Sequence, residues 1–167
     1  MTECEYLSRN KEWYDPNDYG GAAFPWHRQL SNEERDALVA KVTKSDMTLE
    51  HATRAIWHHL ASGHIVMNAN DEGFSLLTAA NVLDFPITNT AYLCWDWFEF
   101  LYEFNFADVD RCFDDLWYPV ADDLLIVNAT VTMALGVMHE GDILICSLKE
   151  PLPPDPTWNA PKKGGSV

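Results

Sequence analysis

Four of the six histidines, His51, His58, His59 and His64, fall within fourteen residues, and imidazole is the side chain best suited to metal ligation or proton transfer near neutral pH. Their spacing argues against a metal. On a helix His51 and His58 share a face at i and i+7 and stand about 10 Å apart, and the i, i+4 pair of H-E-x-x-H is absent. They read as solvent-facing or helix-end groups, with His59 and His64 bracketing Gly63, where the negative end of a helix dipole favours imidazolium. Two segments imitate calcium loops and fail. Asn68 to Gly73 (NANDEG) offers oxygens at positions 1, 3 and 5 and glycine at 6, but position 12 is Ala79, where a bidentate Glu is needed; Asp108 to Asp115 (DVDRCFDD) lacks the glycine and puts Cys112 in a ligand position. No metal or other cofactor is expected.

Nucleophilic and phosphate chemistry find no motif: there is no G-x-S-x-G, P-loop or G-x-G-x-x-G. Cys4, Cys94, Cys112 and Cys146 form no C-x₂₋₄-C pair, and the last three sit in apolar runs, so they read as reduced core thiols in a cytoplasmic setting. Carboxylate pairs are uninformative, because 26 Asp and Glu in 167 residues place some pair at almost any spacing. No residue set nominates itself for catalysis.

The placement of charge is more informative. The net charge of −15 is unevenly spread: residues 1–70 hold 10 acids and 7 bases, residues 71–148 hold 14 acids and one base, Arg111, and residues 149–167 hold 2 acids and 3 bases. A solvated face usually intersperses signs, since opposite charges at i, i+4 help by a few tenths of a kcal/mol and like charges cost as much. The central segment forgoes that pairing and interleaves its acids with aromatics. Asp96, Glu99, Glu103, Asp108, Asp110, Asp114 and Asp115, with Trp95, Trp97, Tyr102 and Trp117, are the candidate partner-binding residues, because exposed Trp and Tyr beside carboxylates anchor interfaces and receive Lys or Arg.

This charge excludes direct binding of nucleic acid or an anionic membrane through a basic patch, and no run approaches a membrane span. No basic and apolar leader opens the chain, which reads as not secreted by a standard signal. The expected partner is a basic protein, such as a toxin or a nucleic-acid-handling enzyme. In charge and size the chain resembles small acidic immunity proteins that neutralise nuclease-type toxins; a DNA mimic of the phage type is the alternative, and an enzyme of unidentified class a third. No family motif carries the resemblance. Acids mixed with Trp and Tyr suit a protein pocket better than the pure acid rows a mimic needs.

The elements that must hold these residues are expected to form an α+β fold, helical in its N-terminal and central parts with a C-terminal antiparallel β-hairpin; a mostly α fold is the alternative. Residues 1–150 read as one domain and 151–167 as a Pro/Gly-rich tail. Residues 1–30 read as an irregular segment pinned by Trp13, Tyr14, Phe24 and Trp26. Ser31 and Glu34 form a capping box opening a helix over 32–44, and Thr48 caps a second that ends at Gly63 in a left-handed conformation, making a helical hairpin. A short strand over 64–67, a turn over 68–73 and a helix over 74–83 follow. Residues 90–104 satisfy both periods, and the helix, followed by another over 108–117, explains the acids better. Period-two spacing from Leu125 to Val137 predicts a strand, although a buried helix also fits, and His139 to Asp142 turns it into DILICSL.

Overall fold

Both ends of the stretch that satisfies both periods are extended. In the computed structural model, which describes residues 4–43, 48–61, 63, 67–95, 98–120, 122–153 and 157, Thr90–Cys94 and Tyr102–Asn105 are antiparallel strands, with Leu93 opposite Tyr102 and Ala91 opposite Phe104. The helix expected over 90–104 is therefore wrong. Its acids suggested a solvent stripe, but Glu103 projects from the second strand towards Arg28 of a distant edge strand. A partner 75 residues away is invisible to i, i+4 reasoning.

Six strands form one antiparallel sheet: β1 His27–Gln29, β2 Thr90–Cys94, β3 Tyr102–Asn105, β4 Leu124–Asn128, β5 Met133–Val137 and β6 Ile143–Ser147, in the order β1-β3-β2-β4-β5-β6. The α+β class stands, but the sheet is far larger than a C-terminal hairpin. The period-two run holds as strand, with a turn at 129–132 dividing it into β4 and β5, and the turn at 139–142 joins β5 to β6 as read from sequence.

The helices are α1 Glu5–Trp13, α2 Asn32–Val42, α3 Leu49–Ala61, α4 Leu76–Val82, α5 Phe106–Arg111 and α6 Phe113–Leu116, with a 3-10 turn at Pro16–Tyr19. The first corrects the irregular reading of residues 1–30: Leu7 and Asn10 are buried one helical turn apart, a spacing masked by the polar residues between them. Of the four expected pins, Trp13 and Trp26 are exposed, while Phe24 packs on the core and Tyr14 is half-buried edge-on to Phe24; Leu7, not expected, is fully buried. The capping box forms as expected, with the Glu34 amide donating to Ser31 Oγ (3.2 Å) and the Ser31 amide to Glu34 Oε2 (2.8 Å). Thr48 Oγ1 accepts from the His51 amide. Gly63 does not take a positive φ; its amide donates to Leu60 O. His64 to Val66 of the expected short strand, and most of the tail, lie outside the described residues. Packing continues past Glu150 to Leu152, which is buried and donates its amide to Val42 O.

Strand alternation creates two cores. On one face Ala91, Leu93, Trp95, Tyr102, Phe104, Leu124, Ile126, Leu135 and Val137 pack with α1, α4, α5 and α6. On the other, Cys94, Leu125, Val127, Ala134 and Leu144 pack with α2 and α3. Central β4 is buried on both faces, which is why LLIVN carries apolar residues at consecutive positions. Gly136 of β5 admits α3: a β-carbon there would stand 2.8 Å from both Leu60 Cδ1 and Trp57 Cζ3.

Candidate protein-binding face

The candidate acids that follow Glu103 stand on α5 and α6, which are too short to be stable alone. Side chains fasten them. Asn105 caps α5 by accepting from the Ala107 amide (2.9 Å). Asp110 accepts from the Leu77 amide (2.7 Å) and Ser75 Oγ (3.2 Å), tying α5 to the start of α4. Asp108 pairs with Arg111 at i, i+3. Asp115 accepts from the Tyr19 hydroxyl, and burial together with that carboxylate pushes the Tyr19 phenol far up. Glu103 is paired with Arg28. Several candidate acids thus serve the fold. Among the described residues the carboxylates of Glu99 and Asp114 have no partner, and both are exposed. Asp96 and Trp97 lie outside the described residues.

The candidate aromatics fare differently from the expectation. Trp95, Tyr102 and Trp117 are buried, so none meets a partner in this conformation. Each satisfies its polar atom internally: Trp95 Nε1 donates to Leu116 O (2.8 Å), Trp117 Nε1 donates to Asp122 O (2.8 Å), and Tyr102 Oη accepts from the Cys4 amide (2.9 Å). The six-stranded sheet supplies a larger core than a hairpin would, and the rings fill it.

Other apolar groups take their place at the surface. Trp13, at the end of α1, is 57% exposed and stands edge-on to Tyr118 at 5.2 Å. Two residues beyond Tyr118, Val120 is 86% exposed. Val120 also has φ 69°, a left-handed conformation that β-branched residues avoid, and its amide donates to His139 O (2.7 Å). Tyr14 stacks on Tyr19 at 5.1 Å. Because Tyr118 Oη reaches Asp115 (3.4 Å), the half-buried tyrosines adjoin the acids of α6. Trp13, Tyr118, Asp115 and Tyr19 thus adjoin one another, with exposed Asp114 next to Asp115 and Val120 two residues past Tyr118 along the chain. Sequence reasoning missed Trp13 as an anchor because it assigned that residue to the interior; Tyr118 and Val120 adjoin the charged stretch, but their exposure depends on the turn that follows α6.

A buried clamp braces this face. Arg9 donates to Asp122 Oδ2 (2.5 Å) and to Asn10 Oδ1 (3.0 Å), with its guanidinium 5.2–5.4 Å from the rings of Tyr6, Trp13 and Tyr118. Asp122 is wholly buried, and its Oδ1 has no hydrogen-bond partner among the described residues. Burial raises its carboxyl above the ordinary range despite the opposing pull of Arg9. Asn10 Nδ2 donates to Leu116 O (3.2 Å), completing the attachment of α1 to α6.

The remaining reactive groups are quiet. Burial pushes the Cys112 thiol up and Cys146 to about 11, so neither is a ready thiolate at neutral pH. All four cysteines are free, and no group of three metal-ligating side chains occurs among the described residues. No helix among them is long and apolar enough to cross a membrane. No protein-family model matches the chain, and no curated protein or solved structure is significantly similar to it.

Proposed function

We propose that this protein binds a basic protein partner through the face formed by α1, α6 and residues 118–120, and acts as an inhibitor of the immunity type against a basic, nuclease-like toxin. The reading rests on one observation above the others: Trp13 and Val120 are both strongly exposed, and Trp13 stands edge-on to Tyr118, whose hydroxyl reaches Asp115 of α6. A large apolar side chain left in water is uninformative alone, but two beside an aromatic and carboxylate surface match the composition of protein interfaces. The acids raise the encounter rate with a basic partner and orient it, and the apolar anchors slow its release. The DNA-mimic alternative draws less support, since Glu103, Asp108, Asp110 and Asp115 are turned to internal partners and form no row of unpaired charge.

The test is affinity capture from the native host at low salt, followed by titration of the captured partner against variants. The parent retains a basic protein whose association slows steeply with added salt. Trp13→Ala and Val120→Ala each weaken binding by about tenfold or more, the loss of about 1–2 kcal/mol that separates an anchor from its neighbours. Asp114→Asn slows association and retains the parent's thermal midpoint, whereas Trp13→Ala, which also gives up its contacts with Tyr118 and Arg9, is compared with the parent at a temperature where both are folded. Failure to retain any basic protein, or affinities unchanged by both anchor substitutions, refutes the proposal.

A further inference from the structure

Arg9 on α1 and Asp122 beyond α6 are 113 residues apart in sequence and meet at 2.5 Å. The guanidinium stands 5.2 Å from the rings of Trp13 and Tyr118 and 5.4 Å from that of Tyr6, within the distance of about 6 Å over which a ring face attracts a cation. Trp13, more than half exposed, meets this cation and the edge of Tyr118. We propose that the Arg9–Asp122 pair sets the orientation of Trp13 and that a proton on Asp122 releases it, so that the binding face weakens in mild acid. The consequence for a partner rests on the binding role proposed above, whereas the coupling of Asp122 to Trp13 belongs to the free protein.

The hydrogen bonds of Asp122 decide where the proton goes. Its side chain is wholly buried; Oδ2 accepts from Arg9, and Oδ1 has no donor among the described residues. A carboxylate oxygen taken out of water without a donor carries the cost of desolvation, and a proton on it removes that cost. Burial raises this carboxyl accordingly, against the pull of Arg9. The groups that face it are Arg9 and Tyr6 from α1 and Tyr118 and Asp123 from its own segment; Asp115 of α6 stands behind the Tyr118 hydroxyl (3.4 Å), and His139 of the β5–β6 turn stands behind Asp123 (2.9 Å). Arg9 opposes the proton and Asp123 favours it.

Of the two partners, Arg9 is the one free to move. The backbone of Asp122 is held on both sides, its amide donating to Tyr118 O (3.1 Å) and its carbonyl accepting from Trp117 Nε1 (2.8 Å). The Arg9 side chain is 24% exposed, so water is within its reach once the carboxyl no longer balances its charge. As the guanidinium turns outward its ring contacts go with it, and Trp13 keeps only the edge of Tyr118. An anchor that must be ordered during binding gives up affinity. The sign follows from the ionised clamp: the ordered face is present above the folded carboxyl value and lost as pH falls through it, in a window that opens above the ordinary aspartate value of about 4. The fold itself survives, because the proton removes a charge whose burial costs the native state.

The experiment is an NMR titration of the free protein between about pH 7 and pH 4, following the Asp122 side-chain carbon and the Trp13 indole N–H together. The two signals share one midpoint above the ordinary aspartate value. Asp122→Asn, which carries no charge at any pH, holds the indole at its acid position even at pH 7. His139→Gln leaves the Trp13 step in place, which separates it from the imidazole's own titration. With the captured partner, the parent loses about fivefold to tenfold in affinity across the window beyond the loss shown by Asp122→Asn, the range of a cation–π contact removed from a partly buried site. An indole that does not follow the carboxyl, or an Asp122 midpoint in the ordinary range, overturns the coupling, and the parent's titration decides this even if Asp122→Asn does not fold. Equal pH profiles of affinity in parent and Asp122→Asn overturn the regulation of the face. Failure to capture a partner refutes the binding role alone, since the titration needs only the free protein.

Discussion

The two faces of the sheet bury similar numbers of residues by different means. The α2/α3 face is mainly aliphatic, and its helices of 11 and 13 residues are long enough for an apolar stripe to hold them. Its tightest point is steric, at Gly136 beneath Trp57 and Leu60. The other face is aromatic, and its helices are shorter, from four residues in α6 to nine in α1. Packing alone holds such fragments poorly. They are tied by specific polar contacts, including Asn10 and Trp95 to Leu116 O, Trp117 to Asp122 O, Asp110 to α4 and Arg9 to Asp122. The difference teaches how an acid-rich segment of low helical support can be ordered: many of its carboxylates and indoles serve as fasteners, which leaves a smaller set for a partner.

The most severe way to break this comparison is to remove a fastener. Arg9→Met leaves Asp122 buried without its partner and costs about 3–5 kcal/mol at pH 7, measured by urea denaturation. The pH dependence carries the sign. Asp122 has its folded carboxyl raised above the unfolded value, so the native state holds the extra proton and stability falls as pH rises through that window. With Arg9 gone the rise is greater, and the variant's deficit is smaller at pH 5 than at pH 7. A deficit independent of pH shows that the clamp acts by packing alone.

On the opposite face the corresponding test is steric. Gly136→Ala forces Trp57 and Leu60 away from the sheet and costs about 1–3 kcal/mol, with no dependence on pH or salt. A neutral result implies that α3 shifts freely, and the contrast between a steric and a polar face weakens. The smallest effect belongs to His139, which lies half-buried between Asp123 Oδ1 (2.9 Å) and Glu140 Oε1 (3.0 Å). Its hydrogen bond to Asp123 raises the imidazole above its ordinary value. The pair's contribution is therefore fully present below the unfolded histidine range and fades as pH rises through the folded value. An NMR titration of His139 follows this directly, and Asp123→Asn returns the midpoint towards the ordinary range. Because His139 O receives the Val120 amide, the same titration detects any coupling to the exposed anchor.

Short-range chemistry was legible where it stood alone. The Ser31–Glu34 box, the Thr48 cap and the turn at 139–142 depend on neighbours within a few residues, and all are present. The charge segregation was legible too, since it is a property of order along the chain. Residues 90–105 were not: their aromatics satisfy two periods, and strand pairing with β4 and β1 decides between them. Nor could sequence separate buried from exposed rings. Trp95 and Trp117 read as anchors and Trp13 as interior, and the structure exchanges their places.

Composition and local order by themselves determined an acidic chain with an α+β mixture, a capped helix at Asn32, and an acid-rich centre containing aromatics. Tertiary structure alone decided which acids are spent, which rings meet water, and that Trp13 meets Tyr118 across more than a hundred residues of chain. The physical reason is that burial and ion pairing depend on partners brought from far along the chain, such as Arg28 to Glu103 and Arg9 to Asp122, whereas capping and turn formation are settled within a single helical turn or hairpin loop.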